Sequence, residues 1–252
     1  MNSLRKAATV IVCRYKNRII EVLMVKRSRK MAFFPNAWVF PGGRLDDADD
    51  GFPSTGNIAG LADKSYAVAA IRECYEESGV WLGSGTPSAE LRQRLNRREV
   101  TLPNDGTLIA NLDRMALWSW WITPLSEPKR YDTKFFLTCL RPDEKPDVYQ
   151  DGIETVDYCW VAPSRAVWRH QHEDFFLAPP TYLTLRELSQ FDDLENLFSY
   201  ALARQVLPIQ PVHRKDDGKL TILLPNHPDH PDEKPVLETN SVVLREYRWH
   251  LD

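Results

Sequence analysis

The stretch that decides the fold is RECYEESGV, residues 72–80. It ends a segment in which apolar or small residues recur three or four positions apart, which is the spacing of one stripe along an α-helix. This spacing predicts a helix over about residues 65–78. Asp63 is placed to cap the start of the helix, and Gly79 is placed to end it, because glycine is common just past a helix C-terminus.

Three glutamates share one turn of the predicted helix. At about 100° per residue, Glu73, Glu76 and Glu77 lie on one flank, roughly 130° from the centre of the apolar stripe. Like charges at this spacing repel, and the helix C-terminus disfavours anions, so something must compensate them. Clustered carboxylates are ligands that Mg²⁺ and Mn²⁺ prefer. A solvated helix face is the competing interpretation, because most acidic residues lie on the surface.

Other segments of the chain predict a mixed α/β protein. Apolar and β-branched runs predict strands at residues 7–14, 19–25, 38–40, 115–122, 135–140, 156–161, 220–224 and 241–247. Helical patterns occur at residues 89–98, 163–170, 180–191 and 194–204. Gly42 and Gly43 permit backbone angles that other residues avoid, so they are predicted to form a tight turn. Residues 46–64 have no apolar period and are predicted to be a loop.

Composition excludes several classes of protein. The 252 residues include 32 Lys and Arg against 35 Asp and Glu, so the chain lacks the broad basic field that nucleic-acid backbone binding uses. Its apolar runs are shorter than the roughly 18 residues that a membrane-spanning helix needs. The four cysteines lie singly, which fits a reducing compartment. Residues 1–12 lack the features of a signal peptide, so we expect a cytoplasmic location.

The residues around the glutamates resemble the signature of the Nudix hydrolases, GX5EX7REUXEEXGU, where U is a bulky apolar residue. Residues 72–80 match its second half, with Cys74 at the apolar position. Counting from Gly43, the first acidic position falls on Asp49, where the family has Glu, and Asp46 competes for that position. The spacer after Asp49 is 22 residues rather than seven, an insertion of 15 whose role is left open. A surface loop accepts such an insertion at little cost in closure entropy.

One branch of the family, which resembles the mammalian peroxisomal coenzyme A diphosphatase, has a similarly interrupted signature. This chain is similar to it in WITP at residues 121–124 and PKRYDTKFF at residues 128–136. The resemblance implies a Nudix-type α/β/α sandwich with an inserted loop and extra C-terminal helices and strands. Residues 1–252 are expected to form a single Nudix domain, with its core at about 7–190 and a C-terminal elaboration at 191–252.

The resemblance also assigns roles to the residues of the signature. It implies that Glu73, Glu76 and Glu77 bind Mg²⁺ or Mn²⁺, assisted by the backbone carbonyl of Gly42. It implies that Arg72 holds these acids in place, so that Arg72 and the three glutamates form the catalytic group.

Later segments contain further candidates. Glu154 stands six residues before a tryptophan, as a distal metal-binding acid does in many family members, although it also fits an ordinary loop carboxylate. Arg130 and Lys134 are candidates for binding a substrate phosphate, or are exposed charges beside a strand. His170 and His172 are expected at the surface rather than as general bases. Three tryptophans, at positions 118, 120 and 121, are expected in the core rather than stacked on adenine.

The implied reaction is metal-assisted hydrolysis of a nucleoside diphosphate linked to another moiety X, which gives X-phosphate and a nucleoside monophosphate. The branch likeness favours coenzyme A or an acyl-CoA. A pyrophosphatase for ADP-ribose, NADH or another dinucleotide is an alternative, as is a nucleotide sensor without catalysis, although the presence of all three glutamates favours catalysis. The expected partner is this small molecule, with neither nucleic acid nor membrane. The oligomeric state and the general base are left open.

Overall fold

The described part of the chain, residues 4–31, 34–216 and 218–251, forms fifteen strands and five α-helices in a computed structural model of the protein. The strands are β1 (Arg5–Lys16), β2 (Ile19–Arg27), β3 (Trp38–Val39), β4 (Gly42–Arg44), β5 (Ser54–Thr55), β6 (Gly83–Ser84), β7 (Ile109–Asn111), β8 (Met115–Ile122), β9 (Tyr131–Cys139), β10 (Thr155–Val161), β11 (Pro208–Ile209), β12 (Val212–Asp216), β13 (Lys219–Leu223), β14 (Ser241–Arg245) and β15 (Arg248–Leu251). The helices are α1 (Ser65–Ser78), α2 (Ala89–Asn96), α3 (Pro163–His172), α4 (Pro179–Leu188) and α5 (Leu194–Ala203).

The N-terminal segment that suggested a cytoplasmic location includes residues 1–3, which lie outside the described ranges. Within those ranges, no helix has both the length and the apolar character that a bilayer crossing requires.

The main sheet has eight strands and mixes parallel with antiparallel pairing. Its neighbours run β10-β2-β1-β9-β8-β11, with β3 paired to β2 and β4 paired to β1. Strand β1 is parallel to β9 and antiparallel to β2 and β4. The predicted runs 7–14 and 19–25 are the interiors of β1 and β2. Asn17 and Arg18, both with positive φ, make the two-residue turn between them, as short hairpins require.

Helices cover both faces of this sheet. Successive residues of β1 point to opposite faces, so Val10 and Val12 pack with α1, whereas Ile11 and Cys13 pack with residues of α4 and α5. Both faces of β1 are therefore buried, which explains its nearly continuous apolar run. The prediction of an α/β/α sandwich with additional C-terminal elements is confirmed.

Helix α1 occupies residues 65–78, as its periodicity predicts. Gly79 ends it in the left-handed conformation at φ 79°, and its N–H donates to the Tyr75 carbonyl at 2.8 Å. The prediction that Asp63 is the N-cap residue is wrong by one position. The N-cap residue is Lys64, which has helical angles, while Asp63 accepts from the Ser65 backbone N–H at 3.1 Å.

The loop predicted over residues 46–64 contains more structure than expected. It holds a short 3-10 turn, Asp47–Asp49, and strand β5, which pairs with β7 in a separate three-stranded sheet, β5-β7-β6. Phe52 and Ile58 from this insertion are buried in the core on the α1 side of the main sheet. The insertion is therefore packed against the domain through its own apolar side chains.

The predicted glycine turn after β3 is wrong. Gly42 and Gly43 lie in the short strand β4, and neither has a positive φ. Their lack of a side chain serves close approach instead, because a Cβ on Gly42 would lie 2.5 Å from the Ala8 carbonyl oxygen of β1.

The C-terminal part forms a four-stranded antiparallel sheet, β12-β13-β14-β15. Its outer strands, β12 and β15, are not predicted from the sequence. Trp249 of β15 is buried and joins the core that contains α3 and α4. Its backbone N–H donates to Nε2 of His170 at 2.9 Å.

The surface position expected for His170 is wrong, because the residue is 1% exposed. Its Nε2 accepts from the Trp249 N–H, and its Nδ1 lies 3.2 Å from the Phe175 carbonyl oxygen and 3.3 Å from the Leu177 backbone nitrogen. His170 thus connects α3 to the C-terminal sheet. His172 is exposed.

Candidate functional site

Arg72 lies at the centre of the candidate site and uses all five of its N–H donors. Nε and Nη2 donate to the two carboxylate oxygens of Asp49 at 2.8 and 3.0 Å, and Nη2 also donates to the Arg44 carbonyl at 2.8 Å. Nη1 donates to Glu73 Oε1 at 2.9 Å and to Glu76 Oε1 at 3.1 Å. A guanidinium is a rigid planar fork, so these bonds fix three acids and the end of β4 relative to one another.

Asp49, rather than Asp46, occupies the acidic position before the insertion. Its side chain is 1% exposed and makes a two-bond ion pair with Arg72. The Asp46 carboxylate has a local role, because it accepts from the Ala48 N–H at 3.0 Å and caps the 3-10 turn. That turn places Asp49 toward α1, which the sequence could not establish.

Glu77 is the most deeply buried acid of the glutamate trio, at 4% exposed. Its Oε2 accepts the Gly42 N–H at 3.0 Å, and its backbone carbonyl accepts from the Thr155 hydroxyl at 3.3 Å. Burial raises the pKa of Glu77 well above its usual range, and the nearby charge of Glu73 raises it further. The contact found for Gly42 is made by its N–H, so metal binding by its carbonyl stays a prediction.

Glu73 lies directly against β4. A Cβ on Gly43 would lie 2.5 Å from the Glu73 carboxylate, so a glycine at this position leaves room for that carboxylate beside the strand. Burial raises the pKa of Glu73 to about 7, although the Arg72 charge opposes the shift. Burial also raises the pKa of Glu76. Carboxyl groups with raised pKa values crowd this end of α1.

Glu154 lies just before β10. Its charge contributes to raising the pKa of both Glu73 and Glu76, which places it within electrostatic reach of them. Its Oε1 is 3.6 Å from Nη2 of Arg98, in an exposed pair. The structure therefore brings Glu154 near the predicted catalytic acids, while metal binding by it stays a prediction.

The donor chemistry of this site fits a hard divalent cation. Among the described residues, no three His, Cys, Asp or Glu side chains already surround a common metal position. Mg²⁺ often binds through one or two carboxylates plus waters and substrate phosphates, so a preformed cage is not required. The fit rests on charge, because three carboxylates, those of Asp49, Glu73 and Glu76, share the single Arg72 guanidinium, and the buried carboxylate of Glu77 lies near Glu73 without a bond to Arg72.

Lys134, a predicted substrate-binding residue, is held between aromatic rings. Its Nζ lies 3.7 Å from the Tyr66 ring centroid and 4.3 Å from that of Trp120. Asp132 accepts from the Tyr66 hydroxyl at 2.8 Å and from Trp120 Nε1 at 2.6 Å, and its Oδ1 is 3.4 Å from Lys134 Nζ. Lys134 is therefore mostly enclosed rather than an exposed charge, and its contact with substrate stays a prediction.

Arg130, the other predicted substrate-binding residue, lies just before β9. Its Nε donates to the Thr123 carbonyl at 3.1 Å, and its own carbonyl accepts from the Arg5 N–H at 3.0 Å. These bonds connect the turn between β8 and β9 to the start of β1. Phosphate binding by Arg130 stays a prediction.

The three tryptophans of β8 do not share one face. Trp118 and Trp121 are buried in the core opposite α1, as predicted. Trp120 instead lies against Lys134 and Tyr66 on the α1 side, so the core prediction is wrong for this residue. A β-bulge between Leu117 and Ser119 shifts the alternation by one position. No feature of the sequence indicated the bulge.

The sequence analysis also missed the contribution of α2. In this helix only Leu95 is buried, yet Arg92 and Asn96 both donate to the backbone carbonyl of Glu76. The sequence indicated this contact only indirectly. The carbonyls at the end of a helix need donors, and α2 is the next helix in the chain.

Several known proteins are similar to this chain. A family model described as the NUDT19 Nudix domain matches residues 52–188. The chain is 30% identical over 245 residues to "Putative nudix hydrolase 7" of Caenorhabditis elegans, covering 93% of this chain and 77% of that protein. It is 31% identical over 242 residues to "Acyl-coenzyme A diphosphatase NUDT19" of Homo sapiens, covering 73% of this chain and 64% of that protein. It is also similar to a crystal structure of a Nudix hydrolase from Alicyclobacillus acidocaldarius, with a TM-score of 0.66 and 27% identity over 79% of this chain and 97% of that one.

Proposed function

This chain belongs to the Nudix hydrolase family and hydrolyses diphosphate bonds, and we propose that its substrate is coenzyme A or an acyl-CoA and that its cofactor is Mg²⁺ or Mn²⁺. The proposed products are a phosphopantetheine, free or acylated, and adenosine 3′,5′-bisphosphate. The observation that carries the chemistry is the group of buried carboxylates organised by Arg72 at the end of α1. The substrate is supported by the relatives named acyl-coenzyme A diphosphatase.

A diphosphate repels an incoming nucleophile, so a site that cleaves it must neutralise its oxygens and align water with the bond that breaks. A bound divalent cation supplies this neutralisation and lowers the pKa of water. Glu73, Glu76 and Glu77 would hold the cation, because their oxygens crowd one end of α1 beside β4. Glu154 would add a further carboxylate from the loop before β10.

The protein's own part in the reaction is to keep these acids oriented. Arg72 holds one oxygen each of Glu73 and Glu76, which leaves the other oxygen of each carboxylate for ligation. The Gly42 N–H fixes one oxygen of Glu77 in the same way. Orientation of this kind removes much of the entropic cost of assembling the reacting groups.

The test is a substrate panel of coenzyme A, acetyl-CoA, ADP-ribose and NADH, each with and without Mg²⁺ or Mn²⁺, with products identified by mass. We expect cation-dependent release of adenosine 3′,5′-bisphosphate from coenzyme A or its thioester. Preferred cleavage of ADP-ribose or NADH would overturn the substrate assignment. Tight binding without turnover of any compound would instead indicate a nucleotide sensor.

Variants connect the activity to the site. Glu76→Gln and Glu77→Gln keep side-chain size but remove a ligand charge, so turnover should fall by about two orders of magnitude or more with the fold retained. Glu90→Gln, on the first turn of α2, is the matched control and should behave like the parent protein. Near-normal turnover in the first two variants would overturn the assignment.

A further inference from the structure

All of the final four carbonyls of α1 have hydrogen-bond donors, and for three of them the donor comes from another segment of the chain. The Gly79 N–H donates to the Tyr75 carbonyl at 2.8 Å, and the Tyr149 N–H donates to the Ser78 carbonyl at 2.9 Å. The Thr155 hydroxyl donates to the carbonyl of residue 77 at 3.3 Å. The fourth carbonyl, that of residue 76, receives side chains from α2. Since helix ends leave such groups unpaired, these donors define where the last turn lies.

Arg92 bonds to two separate segments. Its Nε donates to the Glu76 carbonyl at 3.0 Å, beside Asn96 Nδ2, which donates to the same oxygen at 3.1 Å. Its Nη2 donates to the Tyr149 carbonyl at 2.5 Å. One guanidinium therefore joins the end of α1 to the segment that leads into β10.

That segment carries Glu154. The Asp151 carboxylate accepts three consecutive backbone N–H groups, from residues 153–155, at 2.5, 2.8 and 3.0 Å. Glu154 is thus held in a compact turn that begins two residues after Tyr149. The position of this turn relative to α1 depends on the bonds at Tyr149 and at Thr155.

The positive charge of Arg92 also opposes the negative charge at the C-terminal end of α1. The C-terminal end of a helix dipole is negative, and Glu76 and Glu77 add two carboxylates within the last turn. A cation bonded to the carbonyl of that turn offsets both. Arg92 therefore supplies part of the positive charge that three acids near a helix C-terminus require, and it supplies it from a different helix.

We propose that Arg92 is a positioning residue for the hydrolysis, setting the last turn of α1, with Glu76 and Glu77, at a fixed distance from the turn that carries Glu154. The proposal rests on the proposed function, because it assigns the carboxylates from both elements to one cation. Arg92 acts through two backbone carbonyls and not on the substrate.

The geometry explains why arginine is needed. Two carbonyls on separate segments accept from two nitrogen atoms of one planar group. A lysine ammonium on a flexible stem is a point charge without that fork, so it keeps the charge but not the bridge. Arg92→Lys therefore separates the bridge from the charge, and Arg92→Gln removes both. Arg94→Lys and Arg94→Gln are the matched controls, because Arg94 is exposed on the same helix.

The experiment measures kcat and KM for the substrate found in the panel, together with Mn²⁺ affinity by calorimetry in the absence of substrate. We expect both Arg92 variants to lower kcat by about 10- to 100-fold and Mn²⁺ affinity by about 10-fold, with KM within about threefold. In the metal-free protein, amide hydrogen exchange at residues 77–79 should accelerate. Arg94 variants should match the parent protein in every measurement.

Activity is corrected for the folded fraction, which circular dichroism gives at the assay temperature. The proposal is overturned if the corrected kcat and the Mn²⁺ affinity of the Arg92 variants equal those of the Arg94 variants. A parent protein that hydrolyses nothing in the panel refutes the proposed function instead. Weakened Mn²⁺ binding and faster exchange in the Arg92 variants would still support the positioning role in that case.

Discussion

Replacing Arg72 with lysine retains the positive charge and removes the five-donor fork. The guanidinium makes two bonds to Asp49, one to the Arg44 carbonyl, and one each to Glu73 and Glu76. An ammonium has three N–H donors, so at least two of these five bonds are lost. Lysine cannot reproduce the planar two-bond contact with Asp49.

The expected loss of stability follows from which acceptors water can reach. Bonds to charged groups contribute about 1.5–3 kcal/mol each, so two of them represent about 3–6 kcal/mol. The side chains of Glu73 and Glu76 are 15% and 17% exposed, so water can replace part of their loss. Asp49, at 1% exposed, has no such substitute. We therefore expect Arg72→Lys to lower the unfolding free energy by about 3 kcal/mol.

Turnover should fall further than stability alone would suggest, because Glu73 and Glu76 lose the donor that orients them. Small misplacements of reacting groups can cost about 100-fold in rate. The assays are urea unfolding at pH 7.5 without divalent cations, and steady-state hydrolysis of coenzyme A with Mg²⁺ below the melting temperature.

Two comparisons make this test decisive. Arg97→Lys changes an exposed arginine whose partner Glu99 is 3.9 Å away, and should alter stability by no more than about 0.5 kcal/mol. Asp49→Asn combined with Arg72→Lys should cost less than the sum of the single changes, since the two residues act as a pair. An Arg72→Lys protein within about 0.5 kcal/mol of the parent and within twofold in kcat would refute this reasoning.

Three further outcomes follow from the structure. Gly43→Ala should lower the unfolding free energy by about 1–3 kcal/mol in urea, because its Cβ would meet the Glu73 carboxylate at 2.5 Å and displace it from Arg72; an unchanged midpoint would mean that the Glu73 side chain moves aside at little cost. Burial lowers the pKa of His170 to about 4, against about 6.5 in an unfolded chain, so the folded protein binds fewer protons than the unfolded chain between these values. The unfolding free energy should therefore rise with pH across that window by up to about 3 kcal/mol, and urea titrations should show a smaller rise for His170→Gln; an equal slope would exclude this histidine as its source. Mg²⁺ at about 100 times its dissociation constant should add about 2.7 kcal/mol of stability and raise the Tm, and this rise should be much smaller in Glu76→Gln at the same concentration; an equal rise would place the cation elsewhere.

Elements with a strong local pattern were predictable. Helix α1 matches its prediction because a regular apolar stripe leads directly into Gly79, whose left-handed φ ends the helix. Strand β8 also matches, over residues 115–122, because every residue in it except Ser119 is apolar. Strand β9 begins at Tyr131, four residues before its predicted start, because those four residues are mostly polar and are held by pairing with β1 rather than by their own propensity.

Features that depend on distant pairing were not predictable. Strand β5 has two residues and exists only through its register with β7. The bulge that turns Trp120 away from the core is set by the alignment of β8 with β9. His170 is buried because β15, nearly eighty residues later, supplies a partner for its ring. In each case the conformation depends on a residue or strand in another segment, so the local sequence pattern does not predict it.

The acids of the site were predictable in identity but not in their state. Three carboxylates, those of Asp49, Glu73 and Glu76, bond to one guanidinium, Asp49 takes two of its five bonds, and Glu77 is not bonded to it. The excess negative charge therefore falls on the glutamates, where burial raises the pKa values. In a helix with only a structural role this arrangement would lower stability, because repulsion between the carboxylates and the helix dipole both act against it. A divalent cation reverses the balance, because burial that disfavours the uncompensated charges strengthens their attraction to a cation. The same three side chains thus destabilise the end of α1 when alone, and under the proposed cation binding they would stabilise it, which would link the folding of this turn to the cation.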